Sequence, residues 1–103
     1  QDGETELRLL AMINEQLELM LTTCEMKDEG QNLGQIQRSL AGGFMAKGKR
    51  IGDFRTKKAL ESGTRMGRQN LKQALAQGYE AEKNIKSGLM PGRLALEYLI
   101  GSL

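Results

Sequence analysis

Apolar residues recur at helical spacing from the start of the chain. Leu10, Ile13, Leu17, Met20 and Cys24 fall at steps of three, four, three and four, a continuous stripe on one helix face. Thr5 is placed to cap the start of this helix, Glu6 falls in its first turn, and Gly30 stops it. About 25 residues at 1.5 Å each make a rod roughly 37 Å long. A second stripe, Leu9, Met12, Gln16, Leu19 and Met26, runs beside the first. A surface helix needs only one apolar face. This one is therefore either wrapped by the rest of the domain or offers its second face to a partner.

The later elements follow the same logic. Asn32 opens a short helix with Gln35 three residues on, a capping-box arrangement, and Leu33, Ile36 and Leu40 are its apolar positions. Gly42, Gly43, Gly48 and Gly52 then interrupt a mostly basic stretch, which reads as a flexible, glycine-rich loop over 42–52. Asp53 is a good N-cap for a third helix to about Thr64, with Phe54, Ala59 and Leu60 as apolar contacts. Gly67 opens a fourth, with Met66 and Leu71 at the positions of a hydrophobic staple. Its core stripe is Leu71, Ala74 or Leu75, Gly78, Ala81 or Glu82, and Ile85. Gly78 in mid-helix costs about 1 kcal/mol against Ala, which calls for a neighbouring helix passing close. Pro91 suits the first turn of a fifth helix stapled by Leu89 and Leu94, with Leu96, Leu99, Ile100 and Leu103 as its main face and Leu94 with Tyr98 as a second. Nothing reads as a strand. The fold class is all-α, a bundle of about five helices forming a single domain over 1–103.

Composition narrows the chemistry. The 103 residues include no His and one Cys, so a Ser-His-Asp triad, a Cys-His dyad, a His-ligated metal and a disulfide framework are excluded within this chain. A lone Cys24 in an apolar helical stripe fits a reducing, cytoplasmic setting. The longest apolar run, Leu9 to Ile13, is far short of the roughly 20 residues that cross a bilayer. The acidic start without an initiator Met leads us to expect a domain of a longer protein and no signal peptide. The net charge of +2 hides an asymmetry: residues 1–33 carry a net of −6 and residues 34–103 a net of +8. The bases peak over 47–68, with Lys47, Lys49, Arg50, Arg55, Lys57, Lys58, Arg65 and Arg68 against Asp53 and Glu61. Such a cluster can hold phosphate backbones. Without interleaved aromatics to stack on bases, a solvated face, or one that pairs with the acidic first helix, is the favoured reading.

Three signals of chemistry fail on mechanism. Gly43-Phe44-Met45-Ala46-Lys47-Gly48-Lys49 matches most of a phosphate-binding loop, but Arg50 stands where Ser or Thr must hold Mg²⁺, and no strand precedes it. Gly30 to Gly42 is similar to the start of a helix-turn-helix, but the glycine-rich loop replaces the recognition helix. Glu15 with Glu18, and Glu80 with Glu82, read as solvated surface with neither a partner base nor a cleft. The six Met residues read as core filler or adaptable contacts. No catalytic, metal or cofactor site is expected.

One series of motifs is more specific. Asp53-Phe54-Arg55-Thr56-Lys57-Lys58-Ala59-Leu60-Glu61 leads into Leu71-Lys72-Gln73-Ala74-Leu75, then Glu80-Ala81-Glu82-Lys83-Asn84-Ile85-Lys86-Ser87-Gly88, and closes on Arg93-Leu94-Ala95-Leu96-Glu97-Tyr98-Leu99-Ile100. This order resembles the carboxy-terminal domain of the delta subunit of bacterial DNA polymerase III, a clamp-loader component. The opening Asp2-Gly3-Glu4-Thr5 with Leu7, Leu9, Leu10 and Met12 is similar too, so the likeness runs over about the whole chain. Gly42 to Gly52 looks like an insertion, Ser62-Gly63-Thr64-Arg65 replaces the customary Ala-Arg pair, and Glu82 stands where the family usually has aspartate.

The resemblance implies a helical collar domain that holds delta in a ring with the motor subunits and delta prime, for loading the sliding clamp in DNA replication. It also implies a non-catalytic part of the polymerase holoenzyme that meets DNA, if at all, through the assembled loader. Two uses of the surface are expected on these grounds. In the first, Leu9, Met12, Leu19, Leu94 and Tyr98 form apolar faces for neighbouring subunits. In the second, Lys47, Lys49, Arg50, Arg55, Lys57 and Lys58 contact nucleic acid.

Overall fold

The long first stripe does become a long helix. In the computed structural model, which describes residues 3–45 and 48–102, α1 spans Glu4–Asp28. It is followed by α2 (Leu33–Ala41), α3 (Asp53–Met66), α4 (Arg68–Lys86) and α5 (Gly92–Ser102), with no strand among the described residues. Asp2, Lys47 and Leu103, which entered the readings above, lie outside those residues.

Helix ends are set by local chemistry. The N-cap of α1 is Gly3, in a left-handed conformation, with no side-chain cap, so Thr5 lies inside the first turn and not at the cap. At the other end Gly30, with φ of 97°, lets its own N–H reach the Lys27 carbonyl (2.9 Å) and that of Gln31 reach Met26 (3.1 Å). This is a Schellman ending, which satisfies carbonyls the helix leaves open. The α2 capping box forms in full: Asn32 Oδ1 accepts from the Gln35 N–H and Gln35 Oε1 from the Asn32 N–H, both at 2.9 Å. Gly52, not Asp53, caps α3, and the helix runs past Thr64 to Met66. The Thr64 hydroxyl donates back to the Leu60 carbonyl (2.7 Å), and Met66 packs on the core, so nothing stops the helix before Gly67.

α1 is the axis of the molecule. It packs against each of the other four helices, most extensively α4 and α3, while α2 to α5 adjoin one another in chain order around it. Small residues mark the crossings. A Cβ on Gly63 of α3 would stand 2.7 Å from Cys24 Sγ, and one on Gly92 of α5 would stand 2.8 Å from Gly3 Cα. A Cβ on Gly78 of α4 would fall 1.9 Å from Asn14 Oδ1. The close neighbour expected at Gly78 is thus α1 itself.

Burial divides into two cores. The larger gathers the C-terminal half of α1 (Leu17, Leu19, Met20), Ile36 and Leu40 of α2, Ala59 and Leu60 of α3, and Leu71 and Leu75 of α4. The smaller holds Leu10, Ala81, Ala95 and Leu99, with Ile85 and Met90 against it. Between them, the Asn14 side chain is buried at 3% exposure. Its Nδ2 donates to Glu82 Oε1 at 2.9 Å, and its Oδ1 has no hydrogen-bond partner among the described residues.

Three expectations about the core need correction. The buried face of α5 is Gly92, Ala95 and Leu99: Leu99 lies on it as expected, but Ile100 is exposed and Leu96 half-buried. At Gly92 the start of α1 comes too close for a side chain: a Cβ there would also stand 3.1 Å from Glu6 Cβ. Leu89 and Leu94, expected as a staple, are both exposed. Phe54, expected among the core contacts of α3, is 73% exposed, because the buried stripe is Thr56, Ala59, Leu60 and Gly63 and Phe54 lies off it. Conversely Ile51, inside the glycine-rich 42–52 loop, is buried in the larger core, and its N–H bonds to the Leu40 carbonyl at 2.9 Å.

Candidate interaction surfaces

The second stripe of α1 splits at its middle. Its C-terminal part, Leu19 and Met26, is buried in the larger core, where α2 adjoins α1. Leu19 is 1% exposed and is therefore a core residue, not the interface residue expected from the stripe. The N-terminal part has no such cover. Leu9 is exposed and Met12 is 68% exposed. On α5, Leu94 and Tyr98 are exposed, Tyr98 at 72%. Four of the five expected interface residues therefore reach the surface, two on α1 and two on α5.

Two grooves accompany these residues. One, of about 540 Å³, runs between α4 and α5 and is lined by Ala76, Ala81, Ala95 and Leu99 together with Gln77 and Tyr98. The other, of about 730 Å³, lies between α1 and the start of α3. Met12, Ile13 and Leu17 supply its apolar surface, and Glu15, Gln16, Lys49 and Arg55 its polar surface.

The basic segment turns in part towards α1. The Lys49 ammonium donates to Glu15, whose carboxylate also lies 4.0 Å from Arg55 Nη2. Arg55 Nη2 reaches Gln16 Oε1 at 3.5 Å as well. Arg68 pairs with Glu25 (3.6 Å) and Asp28 (3.5 Å) at the far end of α1. Lys58 lies 3.6 Å from Glu61 and 5.5 Å above the centre of the Phe54 ring. Arg50 and Lys57 are exposed. Pairing of the basic middle with the acidic first helix is thus part of the fold. Glu15, read from sequence as solvated surface, is one of the carboxylates that receive it, with Glu25 and Asp28 at the other end.

Two further sets of polar contacts involve α4. The Tyr79 hydroxyl donates to the Glu18 carboxylate. Burial, then that bond and the charge of Glu18, push the Tyr79 hydroxyl up to about 12. Glu82 accepts from Lys86 Nζ at 3.1 Å as well as from Asn14, and these bonds, Lys86 first, hold its carboxyl below the ordinary value against the effect of burial. The i, i+4 spacing of Glu82 and Lys86 could have signalled the second of these contacts. Tyr79 and Glu18 are 61 residues apart, and nothing local links them.

No arrangement among these groups suggests covalent chemistry. Burial raises the Cys24 thiol, the opposite of what a nucleophile needs. Among the described residues no group of three His, Cys, Asp or Glu side chains is placed to hold a metal ion, and no helix is long and apolar enough to cross a membrane. What the surface offers is exposed apolar side chains, among them pairs on α1 and α5, with grooves beside them and a basic rim.

Compared with known protein families, residues 1–103 match the model of the C-terminal domain of the DNA polymerase III delta subunit. No curated protein and no solved structure matches the chain.

Proposed function

Because the chain belongs to the family of carboxy-terminal domains of the DNA polymerase III delta subunit, we propose that it is a subunit-assembly domain of the clamp loader, a collar that helps hold delta beside its neighbours while the sliding clamp is loaded for DNA replication. The observation that carries this reading is the exposure of Leu9 and Met12 on α1 and of Leu94 and Tyr98 on α5. Large apolar side chains in such positions mark contact surfaces when they cluster on one element. Tyr and Met are also residue types enriched in the centres of interfaces. The partners in this reading are the motor subunits and delta prime. The domain adds no catalytic group to the holoenzyme, and the reading places it in the cytoplasm with the replication machinery.

The test uses a full-length delta chain carrying this domain, mixed with the other loader subunits and resolved by size-exclusion chromatography. Met12→Asp combined with Leu94→Asp should abolish co-elution while the chain stays folded by circular dichroism, since both side chains are exposed. Co-elution that survives these changes, or a wild-type chain that never co-elutes, would sink the reading.

The alternative, nucleic-acid contact through Lys49, Arg50, Arg55, Lys57 and Lys58, has the exposed Arg50 and Lys57 in its favour. Against it, Lys49 and Arg55 engage Glu15, and Lys58 engages Glu61 and Phe54. It predicts an affinity for a DNA duplex that falls steeply with salt and falls further in Arg50→Ala.

A further inference from the structure

We propose that the groove between α1 and the start of α3 seats an amphipathic helix of a neighbouring protein, with its apolar ridge on Met12, Ile13 and Leu17 and carboxylates flanking that ridge on the side of Lys49 and Arg55. The inference rests on the assembly reading and specifies the chemistry of one partner.

The groove has an apolar side and a charged side. Met12 is largely exposed, while Ile13 and Leu17 lie deeper beside it. A methionine in that place adapts its shape to whatever covers it. On the other side two cations, Lys49 and Arg55, share the carboxylate of Glu15. All three are close to half exposed, so these pairs contribute little in water and exchange readily. Covered by a partner's apolar ridge, the same cations would face added carboxylates with less water between them, and each contact would strengthen. The rim carries a surplus of positive charge, and Arg50 and Lys57 are exposed nearby in the chain, so the field draws in an acidic partner and repels a basic one.

Helical geometry follows from the walls. The α1 side of the groove is regular helix, whose backbone groups bond internally. It therefore offers no edge for a strand to extend, and side chains must supply the recognition, as in helix-in-groove binding. Met12 to Leu17 spans about 7.5 Å along α1, room for a pair of anchors one turn apart. Nucleic acid fits less well. None of the lining residues is aromatic, the apolar side would meet sugar and phosphate, and the nearby Phe54 ring is engaged by Lys58.

The experiment uses the full-length delta chain and fluorescein-labelled synthetic helices, read by anisotropy. One helix carries two Leu anchors four residues apart with Glu on both flanks. A second has Lys in place of every Glu, a third has Ser in place of Leu, and the fourth probe is a short DNA duplex. The Glu helix should bind and the Lys and Ser helices should not. Lys49→Glu with Arg55→Glu should weaken the Glu helix by roughly tenfold or more and should now admit the Lys helix, a swap that a misfolded variant could not produce. Met12→Ser should weaken the Glu helix without moving the thermal midpoint. Equal binding of the Glu and Lys helices, or binding of the duplex alone, overturns the proposal. Co-elution with the loader subunits separates the two levels. If the charge-reversed chain still assembles, the groove proposal falls and the assembly reading stands. If the wild-type chain does not assemble, the assembly reading falls, whatever the helices do.

Discussion

Asn14 sits where two requirements meet. Its amide is buried, with one end donated to Glu82 and the other pressed against the bare Cα side of Gly78. Gly78→Ala would gain about 1 kcal/mol of helix preference, but the new methyl would occupy the space of the amide oxygen. Overpacking of this kind costs about 1–3 kcal/mol, and turning Asn14 aside also breaks its bond to Glu82. A net loss of about 1–3 kcal/mol should appear in urea unfolding. Gly101→Ala, where a Cβ meets nothing within 4 Å, should be neutral or mildly stabilising. Titration gives a second residue-scale prediction. The Glu82 carboxyl is held below its ordinary 4.5 by Lys86 first and then Asn14. The stability from those contacts is therefore complete above about pH 4.5 and drains away as the pH falls through the lower, folded value. Glu82→Gln should flatten that part of the acid limb. Tyr79 runs the other way: its hydroxyl rises from 10 to about 12, so its contribution is whole below pH 10 and is lost as the pH climbs through the folded value. An ultraviolet titration of the phenolates, compared with that of Tyr79→Phe, should show a component ionising near 12.

At the scale of elements, the two cores differ in depth. α5 is held by the smaller one, through Ala95 and Leu99 against Leu10 and Ala81, whereas the C-terminal half of α1 lies in the larger. Amide exchange should accordingly open α5 before the second half of α1, and uniform protection across both would contradict the division. Leu99→Ala should cost about 2–5 kcal/mol, while Ile100→Ala, at an exposed position, should stay within about 0.5 kcal/mol. Asn32→Ala removes one half of the α2 capping box and should cost about 1 kcal/mol. Much of this was legible in the chain. The stripe of α1, the capping box and the closeness at Gly78 all rest on residue types and spacing within one element. The α5 face was not legible, because large apolar residues ring that helix almost evenly. What selected Gly92 was the nearness of Gly3 and Glu6 at the start of α1, and Ala95 and Leu99 are buried with Leu10 and Ala81, facts about other elements. Ile51 escaped for a similar reason: a lone apolar residue among glycines and bases has no periodicity to reveal it.

For the molecule as a whole, α1 carries both the charge balance and the exposed surface. Its carboxylates answer the basic segment at two places, Glu15 near the middle and Glu25 with Asp28 at the end. These pairs are solvent-exposed, so their worth is small. Arg68→Ala should lower stability by less than about 1 kcal/mol, measurable as a slight shift of the denaturation midpoint that added salt diminishes. The same arrangement explains how far the interaction surface could be foreseen. Surplus apolar positions on α1 announced that some face would need cover, and Leu9 and Met12 are exposed as that implied. Leu19 is not, because α2 folds back over the second half of α1, and no pattern within α1 records where its neighbour ends.

The amide of Asn14 also has a mechanical consequence. A slip of α1 along α4 by one turn, about 5.4 Å, would bring its oxygen against the methyl of Ala74 in one direction or the side chain of Glu82 in the other. Only the notch at Gly78 accepts it. The register of the two longest helices is therefore keyed at a single position, and a push on the exposed end of α1 reaches α4 as movement of the pair rather than as sliding between them.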